Sequence, residues 1–448
     1  MQKMGKLFGT DGIRGIAYKE PMTAKTAARV GRAVAQTLKK STRPAKIIIG
    51  RDTRISGRLF EQAVARGITS TGAQVLLAGV LPTPGIALLS RVMNADGAIV
   101  ISASHNPWSD NGIKVFSGQG FKLSTHTEKQ IESAVAGVHA RSNADKFGGK
   151  LKIRGAAEIY SEYCISTSDC LLDGLKLVLD CANGSTYETA PKVFKALGAN
   201  ITVISNKPDG KNINYMCGSE YPDKLVKAVN RTGADAGFAF DGDGDRLTAV
   251  DEKGNILTGD HIMAICADHM NARRSLKNNL LVTTIMSNAG LKAAMAKTGI
   301  KCIEAGVGDR EVMELMKKKG ATLGGEQSGH VIFLDRHTTG DGIVTAVQLA
   351  NVIMQAKKRL SSLASIMTPF PQKLINVEVA RKPVITKCRK IIQSIRLAEK
   401  SLAGRGRVLV RYSGTQPMCR VMVEGPDKHV VGKFASLIAQ AVKEDIGS

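Results

Sequence analysis

Aromatic side chains are scarce in this chain of 448 residues: Phe, Tyr and Trp make up 4% of it, with a single Trp. Platforms for stacking unpaired bases are therefore few, which weighs against a single-stranded nucleic-acid binder. No run approaches the roughly 18 consecutive apolar residues of a membrane-spanning helix. Met1 to Thr10 also lack the apolar stretch of a secretory signal, so we expect a cytoplasmic protein with no membrane partner. The eight cysteines are scattered, with no Cys-x-x-Cys pair and no Cys/His cluster. That spacing argues against a disulfide framework or a zinc site and fits a reducing compartment. Low-complexity segments are missing too. Acidic residues number 39 against 63 basic ones, a formal net charge of +24. The basic residues are spread along the chain rather than gathered in a tail. Such a surplus suits nucleic acid, a cleft for multiply phosphorylated small anions, or merely a basic proteome, and charge alone does not choose.

What is present is a repeated unit. Lys46–Gly50, Lys176–Asp180 and Leu280–Ile285 are short apolar strands. Each runs into a Gly-bearing loop, then a helical stretch, a Gly-Ala or Gly-Ile turn and a second strand. That is a βαβ crossover used three times, which predicts mainly parallel sheets with ligand loops at the carboxyl ends of strands. Beyond Pro371 the pattern changes. Leu374–Val379, Arg407–Arg411 and Arg420–Glu424 read as strands, and Val384–Glu399 and Val430–Lys443 as helices. Polar breaks near 146–155, 251–258 and 368–371 divide the chain. We expect an α/β protein with three related mixed/parallel-sheet domains, 1–152, 153–254 and 255–368, plus a smaller α+β domain, 369–448.

Ser104 follows the apolar strand Gly97–Ile101 in the run Ser102-Ala-Ser-His-Asn-Pro107. A hydroxyl there is either a turn former or a nucleophile that needs a base, a metal or a phosphate already on it. The loop Asp241-Gly-Asp-Gly-Asp-Arg246 joins two further strand-like stretches. Asp241, Asp243 and Asp245, separated only by glycine, can curl around one hard cation. A calcium loop of EF-hand type is the nearest rival, with Glu252 at its twelfth position. It fails because Arg246 stands where that loop needs glycine and because the flanks read as strands. Three carboxylates leave coordination positions open for a phosphoryl oxygen. A phosphate stored on Ser104 would meet that cation, which leaves Ser102 a bystander.

Two more loops carry recognition chemistry. In Gly324-Gly-Glu-Gln-Ser-Gly-His330, Glu326 and Ser328 offer an acceptor and a hydroxyl to sugar hydroxyls, and His330 an acid or base. A glycine-rich turn with a satisfied histidine is the plainer alternative. Arg411-Tyr-Ser-Gly-Thr-Gln-Pro417, with Arg420 beyond it, reads either as a hairpin turn or as a phosphate cradle.

These four loops, in this order, resemble the α-D-phosphohexomutase superfamily, and within it the bacterial branch that acts on phosphorylated glucosamine. Leu7–Gly15, Ser104–Pro107, Asp110–Lys114, Asp241–Arg246, Gly325–His330 and His337–Gly342 carry the likeness. The resemblance implies four domains around a central cleft. It implies a phosphoserine at Ser104, with one Mg²⁺ per chain held by Ser104, Asp241, Asp243 and Asp245. Arg14, Lys114, Arg246 and His330 would lie near the transferring group, and Glu326 and Ser328 would read sugar hydroxyls. Arg411, Ser413, Gly414, Thr415 and Arg420 would bind the other phosphate. The implied reaction interconverts glucosamine 6-phosphate and glucosamine 1-phosphate, with a hexose or hexosamine 1,6-bisphosphate as intermediate and activator. It would feed UDP-N-acetylglucosamine and cell-wall synthesis in a monomer or homodimer without nucleic acid. Glucose or mannose phosphate is the alternative substrate, and a basic nucleic-acid-binding protein the alternative of another class. The chain departs from the pattern at Gln416 and Tyr412, at Trp108-Ser109 and at Glu220-Tyr221.

Overall fold

A computed structural model describes residues 7–9, 11–40, 43–137, 148–413 and 417–447. The predicted crossovers form as parallel pairs. Lys46–Arg51 pairs with Gln74–Val80, Lys176–Asp180 with Asn200–Ile204, and Leu280–Thr284 with Lys301–Ala305. Helices Gly57–Thr69, Thr189–Ala196 and Ala289–Lys297 make the three connections.

Each crossover is extended in the same way. A third strand runs parallel to the first, and a fourth returns antiparallel beside the third. These are Gly97–Ile101 with Asp110–Ser117, Ala236–Phe240 with Leu247–Asp251, and Leu323–Gly325 with Val331–Phe333. The three sheets therefore share one strand order. The first adds Ile13–Ile16 and Lys150–Lys152 at its edges, and the second adds Ile256–Leu257. Gly97–Ile101 and Ala236–Phe240 are buried along their whole length, which explains why they read as unbroken apolar runs rather than alternating ones. In every case the turn from third to fourth strand is a loop singled out from the sequence.

By its packing the chain divides into two compact units, Met1–Met286 with Ile300–Ser365, and Ser287–Gly299 with Ile366–Ser448. The first holds the three sheets above. The second holds an antiparallel sheet in the order Gln372–Glu378, Met418–Glu424, Arg407–Tyr412. Helices Arg389–Leu402 and Lys428–Ile446 bury Ile391, Ala398, Phe434 and Ile438 in a core with Cys419, Val421 and Val423 of that sheet. The first of these helices starts at Arg389 rather than Val384. Ile385–Lys387 form a 3₁₀ turn, and extended Cys388 interrupts the chain before the α-helix begins.

Candidate active site

Ser104 sits where the buried strand Gly97–Ile101 ends, and it is itself buried. Its backbone adopts φ +54°, a left-handed conformation that few non-glycine residues take. Both flanking peptides are held. The Ser104 amide donates to Ser102 Oγ at 2.9 Å, and Ser102 donates onward to Asp52 Oδ2 at 2.6 Å. The Ser104 carbonyl accepts from Arg54 Nη2 and Asn214 Nδ2, each at 2.9 Å. Ser102, read from the sequence as a bystander, is thus a support of the loop, because its hydroxyl caps the amide two residues on. The Ser104 hydroxyl is left to face the acidic loop, where it donates to Asp241 Oδ2 at 2.6 Å.

The acidic loop turns between Ala236–Phe240 and Leu247–Asp251. Strands on both sides, rather than helices, settle the contest with the EF-hand reading, and Glu252 is engaged elsewhere, by Ser361. Ligand atoms of Asp241, Asp243 and Asp245 lie within 4.8 Å of one another, and all three residues are buried. Asp241 Oδ1 accepts the amides of Asp245 and Arg246, which curls the loop. Asp243 Oδ1 and Asp245 Oδ1 are buried without a hydrogen-bond partner. Buried carboxylate oxygens are costly to leave unmatched, so these two, beside Asp241 and the Ser104 hydroxyl, fit a hard cation. Burial, then the neighbouring Asp245 and Asp243, push the Asp241 carboxyl well above its usual range, an electrostatic load that a cation would relieve.

Basic groups from other elements surround this centre. Lys114, on the returning strand Asp110–Ser117, places Nζ 2.8 Å from Asp243 Oδ2, 3.1 Å from Asp245 Oδ2 and 3.0 Å from Asp11 Oδ2. Burial alone would lower its pKa, but the carboxylates reverse the sign and keep it a cation. Arg14 pairs with Asp11, and Arg246 reaches Glu220 Oε1 at 3.2 Å. His330 Nδ1 lies 3.8 Å from Asp245 Oδ2, and its Nε2 accepts the Gly340 amide at 3.1 Å. Burial pulls this imidazole down, and Asp245 and Asp309 more than offset it, so its pKa is raised. Ser104, Lys114, Arg246, His330 and the three aspartates therefore converge, and Arg14 joins them through Asp11.

The remaining expected residues lie on two other turns. Glu326 is half-buried with Oε1 accepting the Gly308 amide at 3.0 Å, and Ser328 is exposed. Arg411 and Arg420 stand directly opposite each other across the antiparallel pair, and the buried Ser413 amide donates to the Met418 carbonyl. Gly414, Thr415 and Gln416 lie outside the described residues. Sequence reasoning missed Asp52, Arg54, Thr83 and Asn214, which touch the central loops from distant parts of the chain. The run Arg51-Asp-Thr-Arg54 at a strand end was the only local signal.

Comparison with known proteins agrees along the whole chain. Models of the phosphoglucomutase/phosphomannomutase alpha/beta/alpha domains I, II and III match residues 5–141, 158–254 and 258–370, and the C-terminal domain model matches 374–441. The chain is 51% identical to a phosphoglucosamine mutase of Syntrophus aciditrophicus, covering 99% of this chain and 100% of the relative. It is 48% identical to one of Clostridium novyi, covering 98% and 99%. A phosphoglucomutase/phosphomannomutase family protein from Burkholderia thailandensis has a similar fold, with TM-score 0.82, 23% identity and coverage of 98% and 97%. Aspergillus fumigatus N-acetylphosphoglucosamine mutase, solved with GlcNAc-6P and magnesium, aligns with TM-score 0.67, 15% identity and coverage of 99% and 96%. The chain belongs to the phosphoglucomutase/phosphomannomutase family of the α-D-phosphohexomutase superfamily.

Proposed function

We propose that this protein is a phosphoglucosamine mutase that interconverts glucosamine 6-phosphate and glucosamine 1-phosphate through a phosphorylated Ser104. The observation that carries the reading is the Ser104 hydroxyl 2.6 Å from Asp241, beside the two unmatched oxygens of Asp243 and Asp245. The amino-sugar assignment draws on the full-length relatives at about half identity, all named phosphoglucosamine mutase. The four domains are taken as 1–152, 153–254, 255–368 and 369–448, in accord with the spans of the four family models.

Asp241, Asp243 and Asp245, with a phosphoryl oxygen on Ser104, would hold one Mg²⁺, which supplies charge stabilisation to the phosphate when bound. Lys114, Arg14 and Arg246 enter as cations that balance charge spreading over the phosphoryl oxygens. In the first half-reaction O1 of the sugar attacks phosphorus, the P–Oγ bond of Ser104 breaks, and the proton from O1 ends on Ser104 Oγ. The resulting 1,6-bisphosphate turns over, the serine attacks the 6-phosphate, and O6 takes the serine's proton. No phosphate is gained or lost overall. Glu326 and Ser328 read ring hydroxyls, with His330 beside the transferring group. Arg411, Ser413, Gly414, Thr415 and Arg420 hold whichever phosphate is not transferring. A cytoplasmic location accords with eight cysteines that form no disulfide and with the absence, among the described residues, of a helix long and apolar enough to cross a membrane.

Peptide mass spectrometry on the purified protein should place phosphate on Ser104, and Ser104→Ala should abolish turnover. A fully active Ser104→Ala enzyme would overturn the mechanism. Parallel assays on glucosamine, glucose and mannose 6-phosphates test the sugar, and equal or better turnover of a neutral hexose would reassign the substrate.

A further inference from the structure

We infer that Arg54 and Asn214 form a two-sided clamp that positions Ser104 for phosphoryl transfer, a role that rests on reading Ser104 as the phosphoryl carrier. Arg54 is buried, and a guanidinium has five N–H donors. All five are committed. Nε donates to Asp52 Oδ2 at 2.8 Å, and Nη1 donates to the carbonyls of Pro107 and, at 3.0 Å, Asp110. Nη2 donates to the carbonyls of Ser104 at 2.9 Å and Asn106 at 2.8 Å. Asn214 reaches the same two carbonyls from a different segment, its Nδ2 donating to Ser104 O at 2.9 Å and Asn106 O at 3.0 Å. A carbonyl oxygen has two lone pairs, so both acceptors are filled.

The geometry matters because Ser104 is left-handed, a state a serine leaves readily unless its surroundings over-determine it. Turning the peptide after Ser104 towards the extended region would strip both hydrogen bonds from the buried Ser104 carbonyl. It would also swing the hydroxyl away from Asp241. The acidic loop closes the remaining side, since a Cβ on Gly242 would lie 2.6 Å from Ser104 O and 2.7 Å from Asn214 Nδ2. A carrier that is alternately loaded and unloaded must present one bond axis in both half-reactions. The clamp supplies that axis without touching substrate, so Arg54 and Asn214 are positioning residues.

The test uses full-length Asn214→Gly, which removes the amide and tolerates the positive φ of +58° at this site, and Asn214→Asp, which sets an acceptor against two carbonyls. Arg54→Lys, which keeps the charge and loses the fork, is a third variant. We expect kcat on glucosamine 6-phosphate to fall about 10- to 100-fold with KM changed by less than about twofold. The melting temperature should stay near that of the wild type in the Asn214 variants, with Asn214→Asp at least as impaired as Asn214→Gly. Ser104 should still accept phosphate from glucose 1,6-bisphosphate, read by intact mass. Amide hydrogen exchange in the 102–107 loop should quicken in each variant. Unchanged exchange, wild-type kcat in both Asn214 variants, or activity lost only in proportion to unfolded protein would each overturn the clamp. An unphosphorylated but active wild-type enzyme would instead refute the carrier reading, while the exchange measurement still decides whether the clamp exists.

Discussion

Thr83 is bonded to Asp243 twice, its Oγ1 donating to the carboxylate Oδ2 at 2.6 Å and its amide donating to the Asp243 carbonyl at 2.8 Å. With Lys114 on the same Oδ2, Asp243 cannot rotate, and its Oδ1 is aimed by elimination. Outer partners of this kind orient metal ligands, and their loss typically weakens metal affinity about 10- to 100-fold. Thr83→Val should therefore raise the Mg²⁺ concentration for half-maximal activity by about that factor. The check is an activity titration after chelation, and an unshifted midpoint would count against Thr83 as the group that aims Asp243.

Arg411 and Arg420 face each other in the ladder, with Asn376 next in the row. Like charges directly opposite destabilise a sheet by about 0.2–1 kcal/mol, so the pair makes sense only if an anion comes between them. Arg420→Gln should raise the melting temperature slightly. It should also raise KM for the sugar phosphate roughly 10- to 100-fold, the worth of a charged hydrogen bond. A more stable enzyme with unchanged KM would remove these arginines from the phosphate site.

Asp341 caps the helix Gly342–Ala356 and accepts the Tyr160 hydroxyl, yet burial pushes its carboxyl up to about 7. Against an ordinary value of 3.8, the folded protein holds this proton more tightly than the unfolded chain does. The resulting stability is complete below the unfolded value and is lost as pH rises through about 7, roughly 3–5 kcal/mol in all. Asp341→Asn keeps a good cap and removes the titration. Compared by thermal melts from about pH 5 to pH 8, the variant should gain on the wild type as pH rises. A constant difference would sink the assignment.

Gly340 lies against His330, and a Cβ there would come within 2.4–2.6 Å of three ring atoms. The ring is buried and has little space to retreat, so Gly340→Ala should cost about 1–3 kcal/mol of stability. Displacing the imidazole from Asp245 should lower kcat about tenfold or more. Steady-state kinetics on the folded variant decide it, and wild-type kcat would show that the placement of His330 is not critical.

The three crossovers and the four loops were legible because each is a contiguous run. Strand, loop and returning strand are written next to one another, and hydrophobic periodicity marks where the sheet stops. The acidic loop is the clearest case, since alternating Asp and Gly bring three carboxylates together by local geometry alone. Ser102 shows the limit of such reading. Its neighbours in the chain give its hydroxyl no role, whereas the bonds to Asp52 and the Ser104 amide do.

Contiguous runs of sequence were enough to single out the residues proposed for the chemistry: Ser104, the Asp241–Asp245 loop and the turns at Glu326 and Arg411. What holds them in place emerges from contacts between distant parts of the chain. Thr83 meets Asp243 across 160 residues of chain, Lys114 meets it across 129, and Asn214 meets Ser104 across 110. No periodicity records such pairings, because a buried donor is matched to its acceptor by the packing of whole sheets rather than by neighbours in the chain. The cost of leaving a buried polar group unmatched is what selects them, and that cost arises only once the protein has folded.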